Sequence, residues 1–245
     1  MNFLRSAIFW LLLIGVIIVL FPLSFIVWII VYPFDHKRSV IHWWLIYEFS
    51  FLSAIMPVWR IKVEGHEKAV PKTPYIIISN HQSLLDILIL FCLKCNFKWI
   101  SKIENSRVPF IGWYMLMANY IYIDRGNKES KAEMMKKCEE NLKNGISILM
   151  FPEGTRSHDK EIGPFKLGAF QLALQTDKSI LPVVLDGTGG ILPKHGLIFK
   201  GKSNLKIRIL DPVHPGSFGT ANPEELANRF RTFMADELRK IREPV

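Results

Sequence analysis

Asn80-His81-Gln82-Ser83-Leu84-Leu85-Asp86 sets an imidazole five residues before a carboxylate. On one continuous α-helix that spacing turns the two side chains about 140° apart, too far round to touch. They can touch if His81 lies in a loop and Asp86 in the first turn of the helix that follows. The flanks allow this, because the apolar run Tyr75-Ile76-Ile77-Ile78 stops just before the loop and Asp86-Ile87-Leu88-Ile89-Leu90-Phe91 can continue as a buried helix. The carboxylate then accepts from one ring nitrogen and leaves the other able to take a proton. That is a general base with its orienting partner and no attached nucleophile. A core histidine beside a helix-capping aspartate fits the same two residues.

Phe151-Pro152-Glu153-Gly154-Thr155-Arg156-Ser157 follows the buried-looking strand Ile146–Met150. A strand tip followed by Pro, Gly and hydroxyl residues makes a turn whose backbone N–H groups point outward. Arg156 adds a planar donor fork suited to phosphate. Glu153 can hold that fork or accept from a substrate hydroxyl; an ordinary turn with a surface Glu–Arg pair is the alternative. Ile123-Asp124-Arg125 ends another strand and offers a second guanidinium, or a surface ion pair of little worth. Lys102-Ile103-Glu104, after Phe97–Ser101, supplies a third cation, or a solvated loop lysine. Polar residues just beyond several strand ends are how α/β proteins build a site along one sheet edge.

The elements that would carry these residues alternate. Strands are expected at Val58–Val63, Tyr75–Ser79, Phe97–Ser101, Ile121–Ile123, Ile146–Phe151, Ile180–Leu185 and Leu205–Leu210. Helices are expected near Leu84–Cys95, Ile111–Asn119, Glu129–Lys143 and Phe165–Gln175, with Lys143-Asn144-Gly145 as a stop signal. A last helix starts at Asn222-Pro223-Glu224-Glu225 and carries Leu226, Phe230, Phe233, Met234, Leu238 and Ile241 as its apolar face. The pattern predicts an α/β domain with a mixed, largely parallel sheet flanked by helices. The run Ile111–Met117 reads as a core helix or as a lining for an acyl chain.

Of the 245 residues, 49 % are hydrophobic, and they are concentrated near the start. Ala7 to Tyr32 contains no charged residue, which is long enough for a helix to exceed the roughly 30 Å hydrocarbon core. It lacks a small-x-small cleavage site and reads as a retained anchor. A second apolar stretch, Ser39 to Trp59, holds Glu48 as its one formal charge and is crowded with Trp43, Trp44, Tyr47 and Trp59, as at membrane interfaces. Either the first segment spans while the second lies in the interface, or the two form a hairpin in one leaflet. The expected division is therefore 1–57 for membrane-anchoring helices and 58–245 for the α/β domain. Lys37, Arg38 and the basic body place that domain on the cytoplasmic face. The net charge of +9 suits anionic head groups or acidic carriers. No nucleic-acid motif accompanies it. Three cysteines form no closed disulfide set, and Cys92-x-x-Cys95 lies in an apolar run, so buried thiols are expected.

The two opening stretches resemble the N-H-x-S-x-x-D and F-P-E-G-T-R-S blocks of the glycerolipid acyltransferase family, in the family's order. Lys102-x-Glu104, Val108-Pro109-Phe110-Ile111-Gly112, Ile123-Asp124-Arg125, Phe165-Lys166-x-Gly168-Ala169 and Leu181-Pro182-Val183-Val184 also fit, so the similarity runs from Val63 to Pro212. The 1-acyl-glycerol-3-phosphate acyltransferase branch is nearest. Asn105 departs from the pattern, where leucine is more usual after K-x-E, and this bears on that loop and on acceptor choice. The resemblance implies acyl transfer from acyl-CoA or acyl carrier protein to a lysophospholipid hydroxyl; the sequence holds no clustered set of metal ligands, so no metal or further cofactor is expected. It implies His81 as base and Asp86 as its orienter, with Lys102 or a backbone N–H at the oxyanion. Arg156, with Gly154, Thr155 and Arg125, would hold the acceptor phosphate, and Glu153 would line that site. Ser83 is a conceivable nucleophile, but a helix-start role is the more natural one.

The rivals are acylation of another lysophospholipid, such as a lysocardiolipin or a lyso-aminolipid, and a non-catalytic lipid-binding protein of the same fold. Gly196-Leu197-Ile198-Phe199-Lys200-Gly201-Lys202-Ser203 satisfies the phosphate-loop pattern. A phosphate loop needs a helix after it, whereas Leu205–Leu210 alternates as a strand. Absence of G-x-S-x-G argues against a serine lipase.

Overall fold

The computed structural model describes residues 2–55, 59–70, 72–192 and 203–243. Its strands are β1 (Trp59–Glu64), β2 (Ile76–Ser79), β3 (Phe97–Lys102), β4 (Ile121–Ile123), β5 (Ser147–Met150), β6 (Ile180–Asp186) and β7 (Ser203–Ile209). They lie in the order β1-β7-β6-β2-β5-β3-β4, parallel throughout except where β6 meets β7. Val58 and residues 196–202 of the phosphate-loop pattern lie outside the described residues. The segment that follows them is β7, a strand and not the helix a phosphate loop requires.

The helices are α1 (Asn2–Val31), α2 (Ser39–Ile55), α3 (Leu85–Leu90), α4 (Ile111–Met117), α5 (Lys128–Lys143), α6 (Gly168–Thr176), α7 (Thr188–Ile191) and α8 (Pro223–Arg242). They cover both faces of the sheet, which is why the central strands are apolar without alternation. Ile77, Leu149 and Leu181 join the core beneath α2 and α3, while Ile76, Ile78, Ile148 and Ile180 join the core beneath α5, α6 and α8. The stop read at Lys143-Asn144-Gly145 is a Schellman motif. Ile146 N–H bonds Asn141 O at 2.9 Å, Gly145 N–H bonds Leu142 O at 3.1 Å, and Gly145 takes φ 80°. Asn222 caps α8 by accepting from Glu224 N–H at 2.9 Å.

Three expectations need correction. The apolar run Leu84–Cys95 is not one helix: α3 ends at Leu90, a 3₁₀ turn covers Phe91–Leu93, and Lys94 turns the chain at φ 48° into β3. The run is apolar because it is buried under α2, and burial does not require helix. In α8, Phe233 points outward at 42 % exposure, and Ala227 completes the buried stripe of Leu226, Phe230, Met234, Leu238 and Ile241. The helix after Phe165 starts only at Gly168, and ahead of it Lys166 N–H bonds Pro152 O at 2.8 Å.

Within the described residues, Ser6–Val31 is the one helical stretch long and apolar enough to cross a membrane. It carries Pro22 inside the helix and has little of its surface buried. A tight turn returns the chain into α2, whose first N–H groups are capped by Asp35: Ser39 and Val40 donate at 2.8 Å each and Ile41 at 3.2 Å. One face of α2 (Ile41, Leu45, Ile46, Phe49, Leu52) belongs to the same core as β2 and β6, while Trp43, Tyr47 and Phe51 are exposed. Lys98, buried on β3, ties the turn to the sheet by donating to Ala118 O at 2.6 Å and Arg38 O at 3.2 Å.

Candidate active site

β2, β3, β4, β5 and β6 run parallel, so all five C-terminal ends lie on one edge. His81 stands in the loop after β2, and the helix it leads into is α3, with Asp86 in the first turn. His81 Nδ1 lies 2.8 Å from Asp86 Oδ2. The same oxygen accepts Gln82 N–H at 2.6 Å and Ser83 N–H at 2.8 Å. A carboxylate oxygen already holding two backbone donors can only accept from the ring, so Nδ1 carries the hydrogen. Nε2 has no partner among the described residues and is the nitrogen able to take a proton. Asp86 is fully buried, whereas the imidazole keeps 15 % of its side chain exposed.

The histidine is clamped from several directions, none of which the sequence analysis anticipated. Its ring stacks on Phe151 at 4.1 Å and 21°. Its carbonyl accepts Ser157 N–H at 2.8 Å, binding the His81 loop to the turn after β5. Its own N–H donates to Glu153 Oε1 at 2.8 Å, and the other Glu153 oxygen accepts Gly163 N–H at 3.0 Å. Glu153 was expected to hold Arg156 or meet a substrate hydroxyl; its two oxygens also tie the His81 loop to the Gly163 loop. Burial pushes its carboxyl above the usual range, and the two backbone bonds oppose that shift. Asn80 extends β2 by imitation: its side chain donates to Leu185 O at 2.9 Å and accepts Leu185 N–H at 2.8 Å.

Ser83 is fully buried, and its Oγ donates to Leu192 O at 2.9 Å and accepts Leu85 N–H at 3.3 Å. That commits the hydroxyl to the start of α3. Burial holds the Cys92 thiol up at about 11 and the Cys95 thiol up at about 12, which leaves both poor nucleophiles.

The turn after β5 is adjacent to the His81 loop because β2 and β5 pair directly. Gly154 takes φ 69°, and a Cβ there would come within 2.7 Å of Lys166 Nζ. Glycine therefore lets the Lys166 ammonium approach the backbone of this turn, a cation the motif reading passed over. Thr155 is exposed and Arg156 half-buried. Register places the other two cations. Leu149 pairs with both Ile77 and Trp99, so Lys102, Pro152 and Asn80 share one level along the edge. Lys102 lies two strands from His81, roughly 10 Å at the usual strand spacing, and its ammonium meets Glu104 at 2.6 Å. Arg125, exposed beyond β4, is one strand farther. The structure thus brings His81, Asp86 and Glu153 into one connected cluster with Gly154, Thr155 and Arg156 beside it. Lys102 and Arg125 stand along the same edge as its outer flank.

Comparison with known proteins fits this arrangement. A chloroplastic 1-acyl-sn-glycerol-3-phosphate acyltransferase of Arabidopsis thaliana is 37 % identical over 206 residues, covering 84 % of this chain and 56 % of that protein. A 1-acyl-sn-glycerol-3-phosphate acyltransferase of Saccharomyces cerevisiae is 37 % identical over 188 residues, covering 74 % of this chain and 60 % of that protein. The chain thus spans less than two thirds of these curated relatives' own lengths. The crystal structure of the 1-acyl-sn-glycerophosphate (LPA) acyltransferase PlsC from Thermotoga maritima shares the fold, with a TM-score of 0.83 at 24 % identity over 100 % of this chain and 97 % of that one. The acyltransferase family model matches residues 60–186, which carry the His81–Asp86 pair and the turn after β5. By that match the chain belongs to the acyltransferase family.

Proposed function

We propose that this chain is a 1-acyl-glycerol-3-phosphate acyltransferase: it moves a fatty acyl group from the thioester of acyl-CoA or acyl carrier protein to the sn-2 hydroxyl of its acceptor, giving phosphatidic acid. The observation that carries the reading is the His81–Asp86 contact of 2.8 Å one strand away from a turn suited to phosphate. The relatives named for this reaction support the choice of acceptor.

In the proposed mechanism His81 Nε2 takes the hydroxyl proton as that oxygen attacks the thioester carbonyl. Asp86 holds the ring by Nδ1 and stabilises the imidazolium that forms. Such general-base assistance contributes roughly 10²–10⁴-fold. When the carbonyl re-forms, the C–S bond breaks and the departing sulfur takes the proton back from Nε2. No covalent acyl-enzyme is needed, because thiolate is a good leaving group. Backbone N–H groups near the site or Lys102 receive the negative charge on the carbonyl oxygen. Arg156, with Gly154 and Thr155, holds the acceptor phosphate monoester, and Arg125 adds positive potential along the edge. Both lipid substrates keep their chains in a bilayer while phosphate and thioester carrier remain in water. The α1 anchor and the +9 charge fit a catalytic domain held at the cytoplasmic membrane face.

A thiol-release assay on wild type and His81→Ala, run with a panel of lysolipids and both donor classes, tests the proposal. Activity confined to wild type and highest on the phosphate monoester is the expected result. Turnover retained by His81→Ala removes the base assignment, and preference for a lysocardiolipin or lyso-aminolipid removes the acceptor assignment.

A further inference from the structure

α4 and the segment before it from Ile103 display large apolar side chains that the described structure leaves half-exposed. Ile103, Val108, Ile111, Trp113 and Leu116 are each between 40 % and 58 % exposed, while Met115 and Met117 of the same helix are buried. So α4 is a core helix on one side and an apolar surface on the other.

This surface is built to hold its shape. A Cβ at Gly112 would meet Ser106 O at 2.1 Å, so the start of α4 lies directly on the 3₁₀ turn. Phe110 occupies φ 61°, ψ −56° at the centre of a γ-turn in which Ile111 N–H bonds Pro109 O at 2.7 Å. That conformation is strained for phenylalanine and is held by packing. The Phe110 ring meets Phe21 of α1 edge-on at 5.3 Å and Trp113 at 5.1 Å, and Phe21 itself lies 5.4 Å from Trp113. The apolar surface of α4 is therefore continuous with that of α1. Exposed Lys102 and Arg107 stand beside it, in a chain of net charge +9.

We propose that the outer face of residues 103–116 is a second lipid-contacting surface, which enters the same leaflet that holds α1 and fixes the active-site edge against the head groups. Tryptophan among aliphatic side chains with cations at the margin is the composition that partitions into a membrane interface. Continuity through Phe21 selects a bilayer as the occupant over a soluble partner, since any partner covering α4 would have to share the surface with the lipid around α1. The inference rests on the reading of α1 as a membrane anchor, and β3 then carries the consequence to the site, because the 3₁₀ turn begins where β3 ends, next to Lys102.

The test uses the full chain in phosphatidylcholine–phosphatidylglycerol vesicles, in a background with Cys92, Cys95 and Cys138 changed to alanine that retains thiol-release activity. Nitroxides are placed at Leu116→Cys, at Ile18→Cys on α1, and at Lys137→Cys on the remote helix α5. Collision with oxygen against a water-soluble nickel chelate reports depth. The expected result is that position 116 behaves like position 18 and unlike position 137. Position 116 in water while 18 is in lipid overturns the inference and leaves the anchor standing. Both in water overturns the anchor reading and this inference with it. Position 116 shielded from both quenchers shows a protein cover and also overturns it. A functional arm uses Ile111→Glu/Leu116→Glu, whose turnover on bilayer-embedded acceptor should fall about tenfold or more and on a dispersed short-chain acceptor by less than about twofold. Equal losses on both acceptors count against the inference.

Discussion

Asp86→Asn separates two things the aspartate does, orientation and charge, and the geometry sets a different size for each. Asp86 Oδ2 takes three donors: His81 Nδ1 at 2.8 Å, Gln82 N–H at 2.6 Å and Ser83 N–H at 2.8 Å. The two backbone donors cannot be reoriented, so an asparagine must place its oxygen, never its NH₂, where Oδ2 now lies. The ring then keeps the same tautomer and orientation, and only the charge is lost. Hydrogen bonds to a charged acceptor are worth about 1.5–3 kcal/mol against about 0.5–1.5 for neutral ones. The loss of about 1–2 kcal/mol in the transition state corresponds to roughly 5–30-fold in kcat. Asp86→Ala removes orientation as well and should forfeit most of the base contribution, roughly 10²–10⁴-fold. It also leaves the Gln82 and Ser83 N–H groups buried and unpaired, at about 1–3 kcal/mol each. In Asp86→Asn the amide NH₂ takes the position of Oδ1, which has no hydrogen-bond partner, so some stability is lost there too. The assay is steady-state thiol release beside a thermal melt, with acceptor KM expected to stay within about twofold of wild type for both variants. If folded Asp86→Asn is as inactive as Asp86→Ala, the backbone donors do not pin the acceptor oxygen. If it turns over like wild type, the carboxylate charge has no part in catalysis.

Glu153→Gln leaves one oxygen for the two N–H groups of His81 and Gly163, so kcat should fall about tenfold while acceptor KM moves little; a KM effect with kcat unchanged would assign Glu153 to substrate and not to loop positioning. Arg156→Ala should raise acceptor KM by about 10–100-fold, and Arg156→Lys should recover only part of it, because a bidentate fork is lost; an unchanged KM removes the phosphate clamp. Lys98 gives a pH signature. Burial pulls its ammonium down to about 7, with Asp35 opposing, from 10.5 in an open chain. Below about 7 both states carry the proton and the burial penalty stands in full. Between about 7 and 10.5 the unfolded chain binds the extra proton, so stability rises with pH. The melting temperature of wild type minus that of Lys98→Met should therefore increase from about pH 6 to about pH 10, and a flat difference refutes the assignment.

Much of the fold was legible because the sheet is buried on both faces. Ile76-Ile77-Ile78 and Leu181-Pro182-Val183-Val184 read as strands from apolar content alone, since the three isoleucines, Leu181, Val183 and Val184 all enter one core or the other. The same property misled at Leu84–Cys95, where apolar composition reported burial and was read as helix. α7 escaped altogether: four residues, two of them glycine, hold no period to detect. Nothing local encodes strand order either. The antiparallel step from β6 to β7 is a property of the whole sheet.

At the site, the spacing of His81 and Asp86 was enough to predict a contact, because two residues five apart across a strand–helix junction have few ways to meet. What surrounds them was not legible, for a definite reason. Glu153 meets the N–H of His81, Ser157 donates to the carbonyl of His81, and Asn80 pairs with both backbone groups of Leu185. In each case a partner is main chain, and main chain carries no residue identity to match. A motif reading pairs side chains with side chains or with substrate, so it offered Glu153 to Arg156 or to a substrate hydroxyl and passed over the main chain. The signal that could have found these backbone partners was the accounting of backbone donors: a loop between two buried elements must satisfy its N–H groups, and a buried carboxylate or amide close by is what satisfies them. Applied to the loop after β2, that accounting assigns Asp86 to the N–H groups of Gln82 and Ser83, and Glu153 to that of His81. The residues that hold His81 in place are then found by asking what its backbone needs, before asking what a substrate would want.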